Sequence, residues 1–451
     1  MDKESLLLNK TLAANKGARL WKEAKKIIPG GNQLLSKRAE MFLPELWPAY
    51  YKKAKGCRIW DLEDRMYYDL SQMGVCACIL GYADDDVDRK VKEAVDQGTM
   101  TTLNCYEEVE LAQKLISLHP WAQMARFART GGEACAVAVR IARAATGKDK
   151  VAFCGYHGWH DWYLSANLSE KDNLDGQLLP GLTPAGVPRG LKNTVFPFHY
   201  NSLTELENII KKNGAEIGVI IMEVFRSKEP QAEFLQGARK IAEKTGAVLI
   251  FDEITSGFRA NAGGIHLKYG VSPDIAVFGK ALGNGYPISA IIGKKKFMNA
   301  AQESFISSTF WTERIGFVAA LATIEKLERA SVCETLDMFG GKIRNGLLTK
   351  AKAAGIRLKI DGVNPMLHLS YDDSRSAAMQ TFITQEMLKR GFLASSIVCV
   401  SWALTEEIIS EFLGHMGDIY EQLAGILKEE RDLNSHLEGP VKHSGFKRLT
   451  G

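Results

Sequence analysis

The sequence is short of several things, and each shortage closes off a class of function. Charge asymmetry is one: 57 Lys and Arg against 53 Asp and Glu leave a formal net charge of +4. So balanced a chain offers no electrostatic footprint for nucleic acid or for an anionic membrane surface. Long apolar runs are missing too, and none reaches the length that spans a bilayer. The opening Met1-Asp2-Lys3-Glu4-Ser5 is charged and has no secretory apolar core. The eight cysteines are scattered; only Cys76 and Cys78 stand close, and no second pair supplies zinc spacing. Several fall in apolar runs, as Cys154 does in Val151-Ala152-Phe153-Cys154, where they read as small buried hydrophobes. These features predict a reducing, cytoplasmic setting. No internal repeat or low-complexity segment is visible.

What remains is an ordinary globular composition, 46% apolar and 24% charged over 451 residues. That is room for one large domain, an accessory domain and an ample core. One stretch organises it. Val248-Leu249-Ile250-Phe251 reads as a strand buried on both faces, ending in Asp252-Glu253 and the turn Thr255-Ser256-Gly257. A second short strand, Ile275 to Phe278, runs into Gly279-Lys280 and the glycine-rich Ala281 to Gly285. An acid and an amine thus stand where buried strands leave a sheet, and in open α/β sheets the ligand crevice lies outside those ends. The pair is open to two readings. Asp252 and Lys280 form a structural ion pair, or they flank a ligand. In the second case a buried lysine, its pKa lowered from about 10.4, condenses with a carbonyl, and an aspartate keeps a pyridine ring protonated.

Strand and helix patterns alternate along the chain. Residues 1 to 28 read as a helix stopped by Pro29-Gly30-Gly31, and Gly56–Asp61 with Met66–Leu70 read as a hairpin. Helices are expected at 86–98, 106–118, 133–146, 203–212, 233–245 and 314–329, with strands at 125–129, 151–154, 218–223 and 289–292. Residues 160 to 200, with Pro180, Pro184 and Pro188, read as a long excursion. Residues 335 to 428 form a terminal unit: a helix, a strand near 366–369, and helices at 376–390 and 405–428. The alternation predicts an α/β fold with a mainly parallel sheet. A large domain is expected over 75–330, with a small one assembled from 1–74 and 331–451.

Thr130-Gly131-Gly132 before a helix suits an anion through free amides and the helix dipole, although such a turn is also an ordinary N-cap. The aromatic run Trp159-His160-Asp161-Trp162-Tyr163 either lines a pocket or packs the excursion. Read together, Asp252 to Arg259, Pro273-Asp274 and Gly279 to Pro287 resemble the signature of the class III aminotransferases, fold-type I pyridoxal phosphate enzymes, and most closely the glutamate-1-semialdehyde 2,1-aminomutases. The resemblance covers nearly the whole chain and implies pyridoxal 5′-phosphate as cofactor, a small-molecule amino donor and a carbonyl acceptor. It implies that Lys280 carries the cofactor, that Asp252 meets its ring nitrogen, and that Ile254 packs on the ring. Thr130, Gly131 and Gly132 match the phosphate loop, with glycine at 132 in place of a threonine. Tyr156 of Tyr156-His157-Gly158 stacks on the ring. Thr309 matches a threonine that reaches the phosphate across a homodimer interface, which implies shared active sites. Glu223, here followed by Val224 and not proline, joins the polar shell or is a structural carboxylate, and Arg226 is a candidate anion contact. Arg38 matches an arginine for the substrate carboxylate, or it is a surface residue. Segments 32–36, 224–226 and 310–314 depart from the mutase pattern. An intermolecular aminotransferase acting on an aldehyde or ketone, sugar-derived ones included, is therefore favoured over an intramolecular mutase or a non-catalytic binding protein.

Overall fold

The computed structural model describes residues 16–177, 179–225, 227–231, 233–428, 432–447 and 449. Its central feature is a seven-stranded sheet. The strands are β1 (Met124–Ala128), β2 (Lys150–Cys154), β3 (Val195–Pro197), β4 (Ile217–Glu223), β5 (Val248–Asp252), β6 (Ile275–Phe278) and β7 (Ser289–Gly293). Their spatial order is β1-β7-β6-β5-β4-β2-β3. Only β7 runs antiparallel to its neighbours, β1 and β6; every other pairing is parallel. β4 to β7 are buried at every position, as their unbroken apolar runs predict for strands covered on both faces. The helix over Gly131–Thr146, here α1, lays Ala134, Cys135, Ala138, Ile141 and Ala142 into the core with Val151, Val219 and Ile250. Each buried Val, Leu, Ile or Phe of such a core contributes about 1.5–3 kcal/mol over the exposed state.

The chain divides into two compact units. One comprises Cys76–Cys78 and Asp85–Glu334 and contains the large sheet. The other comprises the residues up to Val75, Ile79–Asp84 and those from Thr335 onward. In that second unit the helix Lys16–Ile27 buries Trp21 and Ala24 against Phe42, Leu43, Trp47 and Leu388. The first fifteen residues of the expected N-terminal helix lie outside the described residues. The expected hairpin is present as Arg58–Asp61 paired with Met66–Asp69. Asp64 at its turn takes a left-handed φ of 61°, which Asp tolerates better than most residues. Asp61 caps the turn by accepting from the amides of Glu63 and Arg65.

Some elements escaped periodicity. Residues 160–200 hold two single-turn helices, Asp161–Leu164 and Ala166–Ser169, and the edge strand β3. None is long enough to display a period, and β3 tolerates Pro197 because it lies at the sheet edge. The terminal unit has Leu358–Val363 beside the expected strand at Met366–Tyr371, plus Phe392–Leu393 and Ile397–Cys399. The first is half exposed and carries Lys359, Asp361 and Gly362; the other two are only two and three residues long. Six cysteines are free and five of those are buried, as expected of small apolar side chains. Cys76 and Cys399 are not among the free thiols, which the reading of all the cysteines as small apolar side chains did not anticipate.

Behind β5 lies a dry polar chain. Glu253 accepts from His266 Nδ1 at 2.5 Å, from the amides of Ile265 and His266, and from Ser256 Oγ. His266 Nε2 in turn accepts from Trp121 Nε1 at 2.9 Å. His119 stacks on His266, donates Nδ1–H to the Leu115 carbonyl and accepts the Gly264 amide at Nε2. Those partners require a neutral His119, and burial holds its pKa down at about 4 from 6.5. The unfolded chain takes up this proton below about 6.5 while the folded chain refuses it until about 4, so stability falls as pH drops through that window. The loss amounts to at most about 3 kcal/mol. Urea unfolding at pH 7 and pH 5 checks this: the difference should shrink in His119→Gln, and an unchanged difference would assign the acid lability elsewhere.

Candidate active site

The site grows from the carboxyl ends of adjacent strands. β4 and β5 pair so that Glu223 stands opposite Asp252. β6 continues into Gly279 and then Lys280, which begins a short 3-10 turn with a φ of 45°. A left-handed φ in a residue with a Cβ costs roughly 1–2 kcal/mol. Alternation along β5 sends Asp252 and Glu253 to opposite sides, Glu253 to the histidine chain and Asp252 to the crevice.

Asp252 is buried. Its Oδ2 accepts from His157 Nδ1 at 2.7 Å and from Cys135 Sγ at 3.2 Å, and its Oδ1 accepts the Ile254 amide at 3.0 Å. His157 reaches the Cys154 carbonyl with its other nitrogen, 3.1 Å away. Lys280 Nζ donates to Thr255 Oγ1 at 3.0 Å, and the same threonine's carbonyl accepts Arg259 Nε at 2.7 Å. Arg259 is wholly buried, also donates to the Cys76 carbonyl, and leaves Nη1 without a partner. Burial first, and then the Arg259 charge, bring the Lys280 amine down to about 8, against the opposing pull of Glu223 and Asp252. An amine so tuned keeps a sizeable neutral, nucleophilic fraction near neutrality and is mostly neutral above about pH 8.

At the end of β1 lies Thr130, which caps α1. It accepts the Glu133 amide at its side chain, and the Glu133 carboxylate accepts the Thr130 amide in return. The first-turn amides of Gly131 and Gly132 have no carbonyl one turn back, the arrangement that receives an anion. Both positions are tightly bordered. A Cβ on Gly131 would fall 2.7 Å from Ile254 Cδ1, and one on Gly132 would lie 3.1 Å from the His160 ring. Gly158, at a φ of 105°, puts its own Cβ position 2.7 Å from the Gly132 Cα. The backbone contact therefore requires glycine at 158; a Cβ at 132 would lie an ordinary 3.5 Å from the Gly158 Cα and would press only on the His160 ring. Ile254 borders Gly131 on one side and Gly279 on the other, so it bridges the phosphate-type turn and the Lys280 strand.

Tyr156 is 40% exposed and meets Tyr163 edge-on, which leaves a ring face available. Its amide donates to Glu223 Oε2 at 3.2 Å. Thr309 opens an exposed 3-10 turn, Thr309–Thr312. Arg129, next to Thr130, donates to the carbonyls of Phe310, Trp311 and Glu313, so this turn is tied to the start of the phosphate-type loop. The aromatic run splits its duties: Trp162 and Tyr163 join the core, while Trp159 is exposed and stacks on His160 beside an open cavity of about 740 Å³. Arg38 belongs to the other unit, where its guanidinium donates to the Lys447 carbonyl and lies 5.6 Å from the Phe446 ring. Arg226 lies outside the described residues. Sequence reasoning missed Cys135, Thr255 and Arg259. Of these, Thr255 and Arg259 were within reach, since both fall inside the quoted motif; Cys135 needed the helix docked on the sheet.

A carboxylate with a vacant lone pair, a lowered amine, unpaired helix amides and a half-exposed aromatic face suit the ring nitrogen, aldehyde, phosphate and ring of pyridoxal phosphate. Fold and site together define a fold-type I pyridoxal phosphate enzyme. The class III aminotransferase family model matches residues 44–418. The chain is 32% identical over 377 residues to the 3-aminobutyryl-CoA aminotransferase of Cloacimonas acidaminovorans (strain Evry), covering 81% of this chain and 86% of that one. It is 28% identical to the 2'-deamino-2'-hydroxyneamine transaminase of Streptomyces kanamyceticus, over 83% and 92% of the two chains. It is 31% identical to the glutamate-1-semialdehyde 2,1-aminomutase of Methanobrevibacter smithii, over 82% and 89%. Among solved structures, the FumI protein of Sphingopyxis sp. MTA144 in its PLP internal aldimine form superposes with a TM-score of 0.82 at 26% identity, covering 92% and 97%. The chain therefore belongs to the class III aminotransferases, and its cofactor is pyridoxal phosphate.

Two measurements probe this geometry. Reductive methylation of the apoprotein, followed at Lys280 by mass spectrometry, should rise with pH about a midpoint near 8; a midpoint where free lysines titrate would refute the tuned amine. Gly158→Ala should lower stability by about 2–3 kcal/mol through left-handed strain and overpacking on Gly132, read as a shift in thermal midpoint that Gly186→Ala, at a similar φ but in open space, should show only in part.

Proposed function

We propose that this enzyme moves an amino group between two molecules, from a small amino donor to an aldehyde or ketone acceptor, sugar-derived carbonyls among them. Lys280 carries the cofactor and later moves the proton between substrate and cofactor carbons. Asp252 faces the pyridine nitrogen, Ile254 and Tyr156 take the two faces of the ring, and Thr130, Gly131 and Gly132 take the phosphate. When bound, the cofactor supplies an electron sink for the carbanion. The residues' own work is to orient it, exclude water and hold the amine neutral. Glu223, across from Asp252, shapes the polar wall of the substrate side.

The observation that carries the intermolecular reading is the state of Arg38. Its Nη1 is spent on the Lys447 carbonyl, its Nε is buried without a partner, and Nη2 abuts Gly30 so closely that a Cβ there would lie 2.3 Å away. A bidentate grip on a substrate carboxylate needs a free fork, so the arginine that would serve a mutase is engaged within its own unit. The 3-aminobutyryl-CoA aminotransferase and the 2'-deamino-2'-hydroxyneamine transaminase among the relatives favour the same reading. The mutase relative supports the second reading, an internal transfer within one amino aldehyde.

We also place the working enzyme in a homodimer with Thr309 reaching the partner's phosphate. Thr309 is exposed beside Phe305 and Phe310, themselves 87% and 67% exposed, which is a surface that invites cover. Among the described residues no helix is long and apolar enough to cross a membrane, which accords with a cytoplasmic enzyme. Amino donors should be screened by the change in cofactor absorbance, with and without a keto acceptor. Conversion by a donor and restoration by a separate acceptor is the expected result; isomerisation of one compound with no net co-substrate would replace this reading with the mutase. Sedimentation should give a dimer, and Phe310→Asp should dissociate it and loosen the cofactor; a wild-type monomer retaining full cofactor affinity would sink the shared site.

A further inference from the structure

Asp252 is gripped by more donors than a strand-end carboxylate needs, and one of them is a thiol. Oδ2 receives His157 Nδ1 at 2.7 Å and Cys135 Sγ at 3.2 Å, while Oδ1 receives only the Ile254 amide at 3.0 Å. The polar atoms of Cys135, His157 and Asp252 all lie within 4.8 Å of one another, and all three residues are buried. Each carboxylate oxygen has two lone pairs. Oδ2 is therefore filled, and Oδ1 keeps one place.

We propose that Cys135 is a positioning residue for the cofactor: its thiol completes Oδ2, so Asp252 cannot turn and offers Oδ1 to the pyridine nitrogen. The inference rests on the proposed role of Asp252. The thiol is suited to this part. Burial, and then the neighbouring Asp252 charge, push its pKa well up, so it stays a donor and does not become a nucleophile. Its address matters as well. Cys135 lies on α1 one turn beyond Gly131, so the helix whose first amides face the phosphate also carries the donor that steadies the ring end. His157 and the adjacent Ile254 amide hold one donor on each oxygen; the thiol, from a different element, adds a second at Oδ2 and leaves Oδ1 the oxygen with room.

The test compares two ligands on the apoprotein: pyridoxal 5′-phosphate, and an analogue with carbon in place of the ring nitrogen. Each is titrated against wild type, Cys135→Val, Cys135→Ala, Cys135→Ser and Asp252→Asn, with thermal melts confirming folding. Loss of one weak thiol hydrogen bond, of the ordinary net strength of about 1 kcal/mol, predicts that Cys135→Val and Cys135→Ala weaken pyridoxal phosphate binding by about five- to tenfold. Binding of the nitrogen-free analogue should stay near the wild-type value, and Cys135→Ser should recover most of the loss. Equal weakening of both ligands would make Cys135 a packing residue only, and undiminished pyridoxal phosphate affinity in a folded Cys135→Ala would likewise overturn the proposal. Asp252→Asn separates the two levels of inference. If it distinguishes the ligands and the cysteine variants do not, only the role of Cys135 falls. If Asp252→Asn also fails to distinguish them, the role of Asp252 falls and the inference about Cys135 with it.

Discussion

A carboxylate buried away from water is the constraint on which the rest of this structure depends. Unpartnered, such a group costs several kcal/mol. Asp252 meets that cost with donors from three places: the loop after β2 through His157, the helix α1 through Cys135, and its own following residue through Ile254. Satisfying one side chain therefore fixes the relative placement of a loop, a helix and a strand. Those are the elements that carry Tyr156 and the phosphate-type turn, and the strand lies beside the one that leads to Lys280.

The second buried charge problem is solved differently. Lys280 and Arg259 are both cations removed from water, and both lean on Thr255. No carboxylate hydrogen-bonds the Arg259 guanidinium among the described contacts; it is held by backbone carbonyls. Like charge and burial act in the same direction on the lysine, and Glu223 and Asp252 act against them. The result is an amine poised near the pH at which a protein works, which neither burial nor ion pairing alone would deliver. The Asp252–Lys280 ion pair that the sequence allowed is not what the side chains make: the lysine bonds to a hydroxyl and the aspartate to an imidazole and a thiol.

Much of the large unit was legible because its strands are buried on both faces and its helices run for several turns. β5, β6, α1 and the helix over Arg314–Arg329 begin and end within two residues of where apolar period, caps and glycine place them. Legibility failed where elements were short or half wet, as at β3 and at the hairpin of Leu358–Val363. The cofactor side of the site was legible for a related reason. Lys280, Asp252 and the Thr130 turn sit at the ends of strongly patterned elements, so their positions follow from the pattern. Cys135 and Arg259 act through contacts made only after helix and turn dock on the sheet, and no local spacing announces them. Arg38 shows the converse: its residue type suited an anion, yet its partners come from residues more than four hundred positions away.

The contact of Gly158 with Gly132 sets a length. Two loops that leave different strands touch through bare backbone, and Gly158 cannot gain a Cβ without pushing Gly132 away. The phosphate-type turn and the loop bearing Tyr156 and His157 are thus held at a fixed spacing, with no side chain between them to take up slack. A spacing of that kind is set before any ligand arrives. It would register a missing or displaced phosphate as a gap, because the backbone has no side chain with which to follow a shorter molecule inward.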